Sequence, residues 1–230
     1  GKFYVMALGT GSSLNAVYNE LIRRYEKKAL SFRNVVIFNA YEYYPLQKDS
    51  SIRTINQLKE RFLNHVDVEE QNIFTLDGFV AQDAVQDCCR LYEQRIKTFG
   101  GLDVALIGIG RSGNIAANEP GSGLQSATRL ILIGNTSREE MEISEKTKES
   151  IPPCSLTMGI ATLLSAKAIY LTAWGEEKAE IMQKVIENSI TDTLPASFLQ
   201  THPNVQVVLD LGAAARLTRI EHPWLVTSCQ

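Results

Sequence analysis

The chain has no surplus of positive charge: its 23 lysines and arginines face 26 acids, for a net charge of −3. The basic residues are scattered among the acids, which excludes the electrostatic stripe a nucleic-acid partner requires. Cysteine is scarce. Of four, Cys88 and Cys89 are adjacent and Cys154 and Cys229 stand alone. That spacing excludes a disulfide framework and a cysteine metal site, and it fits a reducing compartment. No apolar run approaches the roughly 18 to 20 residues of a membrane helix, and no basic-then-apolar leader is seen. The expectation is a soluble, cytoplasmic protein with neither a membrane nor a nucleic acid as partner. Histidine is also scarce, and His65, His202 and His222 lie in no catalytic spacing. Structural or surface roles are expected for them, His65 near a helix end where a cation is mildly favoured.

What is present is an alternation of short apolar runs and longer amphipathic stretches. Phe3 to Leu8, Asn34 to Asn39, Asp103 to Ile107, Arg129 to Ile133, Ala168 to Thr172 and Val205 to Leu209 read as buried strands. Helical spacing runs through Leu14, Val17, Tyr18, Leu21, Ile22 and Tyr25, and again over Ser51 to His65, Ala81 to Phe99 and Glu176 to Asn188. Gly100-Gly101 stops the third helix. Such alternation predicts an α/β fold, a mainly parallel sheet with helices on both faces. Its ligands would sit beyond the C-terminal ends of the strands.

At 230 residues, with no repeat, low-complexity tract or linker, one domain is expected. The chain starts almost at once inside a strand and ends on the apolar Pro223-Trp224-Leu225-Val226. A missing preceding segment and a C-terminal continuation are therefore expected.

Two glycine-rich loops follow strands. In Gly9-Thr10-Gly11-Ser12-Ser13, small residues let backbone N–H groups approach an anion, three hydroxyls can donate, and a helix start follows. The loop alone fits a phosphate site and a serine cap after a tight turn equally well. The second loop, GIGRSG at Gly108 to Gly113, has dinucleotide-fingerprint spacing. However, Pro120 breaks any helix after it, and Asn135 stands where an acid should hold the ribose. A nicotinamide or flavin is not expected, and no other cofactor or metal is implied. Near Phe38 to Tyr43 a strand runs into a polar, aromatic loop, where Glu42 reads as an acid or base, or as a surface carboxylate in a tyrosine-rich loop. Lys178 opposes the dipole of its helix, which a bound anion would explain.

The strings LGTGSS (Leu8 to Ser13), FNAYEY (Phe38 to Tyr43), GIGRSGNIAANEPGS (Gly108 to Ser122) and SLTMGIATLLSA (Ser155 to Ala166) resemble the glucosamine-6-phosphate deaminase (isomerase) family. The resemblance implies a Rossmann-like sheet of the deaminase, phosphogluconolactonase and ribose-phosphate isomerase type. It also implies a site for a hexosamine 6-phosphate. The phosphate ligands map to Thr10, Gly11, Ser12, Ser13, Arg138 and Lys178. Family members convert the amino sugar to fructose 6-phosphate and ammonia with a ring-opening histidine and a proton-shuttling carboxylate. Here the resemblance puts Tyr41 and Ser112 where the family has aspartates, and Asn114 where it has the histidine. Of the acidic set, Glu42 and Glu119 remain.

Tyr titrates near ~10, and Ser and Asn not usefully, so little standard deaminase activity is expected. Two readings follow. One is an enzyme of altered chemistry, an isomerase or hydrolase using Glu119 or Glu42 with Tyr41 as polar partner. The other is a non-catalytic sugar-phosphate sensor or partner subunit in amino-sugar metabolism. The partner is a small phosphosugar, and relatives range from monomers to larger assemblies, so a homo-oligomer is an open possibility.

Overall fold

The computed structural model describes residues 2–145 and 149–218. His222, Cys229 and the segment Pro223-Trp224-Leu225-Val226 lie outside the described residues. The chain runs β1 (Tyr4–Leu8), α1 (Asn15–Glu26), β2 (Val35–Asn39), β3 (Tyr41–Tyr44), α2 (Thr54–Arg61), β4 (Ile73–Phe74), α3 (Val85–Thr98) and β5 (Val104–Gly108). It continues through β6 (Arg129–Leu132), α4 (Asn135–Glu145), β7 (Cys154–Thr157), α5 (Ile160–Leu164), β8 (Ala168–Ala173), α6 (Ala179–Glu187), β9 (Val205–Leu209) and α7 (Leu211–Ala214).

Six strands form one sheet in the order β4-β2-β1-β5-β8-β9, with every pairing parallel. Because side chains alternate across a strand, the continuous apolar runs supply two cores. Val5, Ala7, Val36, Phe38, Ala105 and Ile107 face one way, against α3, α5 and α6. Met6, Leu8, Val35, Ile37, Val104 and Leu106 face the other, against α1 and α2. Both faces are covered, as the sequence predicts. α3 ends where Gly100 and Gly101 take φ of 90° and 89° and their N–H groups return to Lys97 and Ile96 carbonyls, the left-handed turn that glycine adopts without strain.

Two expectations need correction. Arg129 to Ile133 does not join the parallel sheet; it forms β6 in a separate three-stranded antiparallel sheet, order β3-β7-β6. Its burial alternates between half-buried and exposed, so the run is an edge strand with one wet face, not a doubly covered one. Tyr41 to Tyr44, read as a loop, is β3 of the same sheet and is wholly buried.

Candidate functional site

The sheet order reverses at β1. The chain leaves it toward β2 and β4 on one side and reaches β5, β8 and β9 on the other. The loops that follow β1 and β5 therefore diverge and leave a crevice at the carboxyl edge, and both glycine-rich loops flank it. They are fitted to each other: a Cβ on Gly108 would stand 2.6 Å from Ser13 Oγ. Ser13 Oγ in turn accepts from Thr172 Oγ1 of β8 at 2.9 Å.

In the first loop Thr10 is buried, Ser13 half-buried, and Gly11 and Ser12 exposed. Its carbonyls are already engaged. Tyr18 Oη donates to Gly9 O at 2.6 Å, and the Arg61 guanidinium donates to Thr10 O. With these negative ends bonded to protein donors, the N–H groups and hydroxyls are what the loop offers a ligand. Tyr41 Oη lies 2.9 Å from Thr10 Oγ1.

In the second loop Gly110 N donates to Asn114 O and Gly113 N to Gly110 O, each at 3.0 Å. No helix follows it. Ala116, just beyond, holds a φ of 50°, a left-handed conformation that costs a non-glycine residue on the order of 1 kcal/mol or more. The turn gathers Ser112, Asn114, Ser137 and Glu119. Ser112 Oγ donates to Asn114 Oδ1 at 2.8 Å and lies 3.2 Å from Ser137 Oγ. Glu119 is buried. Burial raises its pKa, against hydrogen bonds with Ser137, Ser112 and the Gly134 amide, and Glu140 raises it further. The Glu119 Oε1 is buried without a partner among the described residues.

Arg138 lies on α4, next to Ser137, and Lys178 lies in the 3-10 turn before α6. Arg138 Nη2 donates to Ile151 O at 3.3 Å, and its Nε is buried with no partner among the described residues. The Lys178 ammonium donates to Glu140 Oε1, and Glu140 Oε2 accepts from Arg111 N at 2.8 Å.

The two carboxylates marked in the sequence occupy different environments. β3 alternation sends Glu42 to the face opposite Tyr41 and Tyr43, whose rings pack edge to face at 5.8 Å. Glu42 Oε1 accepts from Tyr43 N at 3.0 Å and from Thr54 N, at the start of α2, at 2.9 Å. It serves where no local side chain caps that helix. Burial pushes its pKa up to about 7, against the hydrogen bonds from Thr54 and Tyr43. Glu119, by contrast, shares the crevice with the serines.

His65 is exposed and its Nε2 lies 2.9 Å from Glu60 O; His202 Nε2 lies 2.7 Å from Ala166 O. Neither reaches the crevice loops through these bonds. A groove of about 730 Å³ beside the crevice touches Ser112 and runs between α6 and the chain at Asn188 to Leu194. It includes none of the first-loop residues, Arg138 or Lys178. Among the described residues no helix is long and apolar enough to cross a membrane, and no three His, Cys, Asp or Glu side chains converge as metal ligands would.

Sequence reasoning missed Arg61, Ser137 and Glu140. For the last two a signal exists: Asn135-Thr136-Ser137 followed by Glu139-Glu140 is a helix-start pattern, and α4 begins there. Reading that helix places Ser137 and Glu140, three residues apart, on one face.

Comparison with known proteins follows the same outline. Residues 1–208 match the family of glucosamine-6-phosphate isomerases and 6-phosphogluconolactonase. A glucosamine-6-phosphate deaminase-like protein of Bacteroides thetaiotaomicron is 56% identical over all 230 residues, yet the chain spans only 35% of that protein's length. Glucosamine-6-phosphate deaminase 1 of Bacillus subtilis is 36% identical over 92% of the chain and 86% of its own length. The structure of a monomeric glucosamine-6-phosphate deaminase superposes with a TM-score of 0.87 at 35% identity, covering 93% of this chain and 88% of that one. The 6-phosphogluconolactonase of Thermotoga maritima shares the fold at a TM-score of 0.69 and 16% identity, over 91% and 85% of the two chains.

Proposed function

Because the chain belongs to the family of glucosamine-6-phosphate isomerases and 6-phosphogluconolactonases, we propose that residues 1–230 are a single domain that binds a hexosamine 6-phosphate in amino-sugar metabolism, in the cytoplasm, with weak deaminase turnover or none. The phosphate lies against Thr10, Gly11, Ser12 and Ser13, with Arg138 and Lys178 as its cations. One observation carries this reading: Arg138, next to the Ser137 that meets Ser112 of the second glycine-rich loop, presents a buried Nε with no acceptor among the described residues. Burying such a donor unpaired costs about 1–3 kcal/mol or more, and an anion removes that cost.

The reacting end of the crevice lacks the groups a deaminase uses. Tyr41 is bonded to Thr10 and Asn114 to Ser112, and neither is a base near neutral pH. Loss of an acid or base costs about 10²- to 10⁴-fold each, so binding outlasts catalysis. Calorimetry with glucosamine 6-phosphate tests the clamp: wild type binds and Arg138→Ala loses about tenfold or more. Absence of binding to the wild-type chain sinks the proposal.

A second reading rests on Glu119. A buried carboxyl whose pKa burial raises is a candidate acid or base, so an isomerisation or hydrolysis that needs no histidine fits the same crevice. Following glucosamine 6-phosphate and related sugar phosphates by NMR separates the two: any enzymatic product that disappears in Glu119→Gln favours the enzyme.

A further inference from the structure

Lys178 carries the clamp's second cation, yet its ammonium is already held by a carboxylate of the chain itself. Glu140 stands two residues beyond Arg138 on α4. Its Oε1 accepts from Lys178, and its Oε2 accepts from the Arg111 amide of the second glycine-rich loop at 2.8 Å. Two oxygens of one anion thus engage a lysine and a backbone N–H at the crevice, the donor types that recognise a phosphoryl group.

We infer that Glu140 is a resident anion occupying part of the phosphate position, and that it sets the affinity and charge selectivity of the clamp. The inference rests on the phosphosugar reading above.

The geometry says which partner yields. The Lys178 side chain is 12% exposed and that of Glu140 is 28% exposed, so the lysine has little water to turn to and the glutamate has more. A phosphate approaching Lys178 meets a like charge and must displace it. Glu140 can swing outward into solvent, whereas Lys178 must keep an anion. The occupied clamp therefore selects against weak anions: a ligand must bring a full phosphate charge and sugar contacts to exchange with a carboxylate already in place. Freed of that competitor, Lys178 and the Arg111 amide both become donors to the ligand.

The test compares wild type, Glu140→Gln, Glu140→Ala and Arg138→Ala by calorimetry against glucosamine 6-phosphate and inorganic phosphate, with melting temperatures recorded in parallel. Removing the carboxylate frees a charge-assisted hydrogen bond, so Glu140→Gln and Glu140→Ala bind glucosamine 6-phosphate about 10- to 100-fold more tightly than wild type. Inorganic phosphate, weak in wild type, becomes measurable in both. A Glu140 that merely ties α4 to the 3-10 turn before α6 gives a lower melting temperature and equal or weaker affinity in both variants, and that result overturns the inference. If wild type binds, Arg138→Ala weakens binding and the Glu140 variants match wild type, only the resident anion is wrong. If neither wild type nor the Glu140 variants bind either probe, the phosphosugar reading fails and the inference fails with it.

Discussion

The phenolic oxygen of Tyr41 stands 2.9 Å from the hydroxyl of Thr10, which ties the first strand of the small antiparallel sheet to the glycine-rich loop of the large one. Thr10 has one proton and two lone pairs. When Tyr41 donates to it, the Thr10 proton is free to point at an anion and is polarised by the bond it receives. On the proposed reading, the tyrosine that stands where the family resemblance puts an aspartate serves the phosphate end of the crevice instead of the reacting end.

Tyr41→Phe removes that donor. Tyr41 and Thr10 are both buried, and the lost hydrogen bond should lower stability by about 1 kcal/mol and weaken glucosamine 6-phosphate several-fold. Tyr41→Asp should weaken it more, because a carboxylate beside Thr10 opposes the phosphate dianion. Calorimetry that finds all three proteins equal would remove Tyr41 from the clamp.

Gly108→Ala tests the fit of the two loops. The new Cβ meets Ser13 Oγ at 2.6 Å, so Ser13 must turn away and give up its bond from Thr172. An overpacked site of this kind costs about 1–3 kcal/mol, and the displaced hydroxyl no longer lies where a phosphate would use it. Both the melting temperature and phosphosugar affinity should fall. Unchanged affinity in a folded variant would show that Ser13 is not a ligand.

How much of this was legible follows from what each segment's pattern encodes. Val5 to Leu8 and Val104 to Ile107 are buried on both faces, so their unbroken apolar runs announce parallel strands, and the loops after them mark the crevice. Arg129 to Leu132 has a similar composition but alternates in burial; only its antiparallel partner β7 decides that, and a partner of this kind is non-local. Tyr41 to Tyr44 is concealed by its polar glutamate, which is buried because it bonds the start of α2. The Gly9 to Ser13 loop is readable because its chemistry is contiguous. Glu140 is not, because what matters is the meeting of α4 with the turn before α6, which no local spacing carries.

Restoring Tyr41→Asp, Ser112→Asp and Asn114→His together should release ammonia from glucosamine 6-phosphate, whereas each single change should yield none above background. Groups that act as a unit are strongly non-additive, and each single restoration still lacks either the ring-opening imidazole or a carboxylate. Residue 110 must stay glycine in these variants, since a Cβ there would lie 1.9 Å from the Oδ1 of the present Asn114. A coupled assay for ammonia reads the result. A folded triple variant that binds the sugar phosphate yet releases none would show that the replaced positions are not what limits this chain.

Glu42→Gln separates a buried neutral carboxyl from a buried ionised one by pH. Burial holds the Glu42 carboxyl at a pKa of about 7, against an ordinary value of 4.5. Between those values the native protein binds the extra proton and the unfolded chain does not. The stability Glu42 contributes is therefore complete below about pH 4.5 and is lost as pH rises through about 7, at up to about 1.4 kcal/mol per pH unit. Glutamine keeps an oxygen for the Tyr43 and Thr54 amides and carries no charge to bury. Urea midpoints at pH 5.5, 6.5, 7.5 and 8.5 should fall less steeply in Glu42→Gln than in wild type, and the variant should be the more stable protein at pH 8.5. A variant less stable by the same amount at every pH would mean that Glu42 is ionised throughout and that its negative charge is what holds the start of α2.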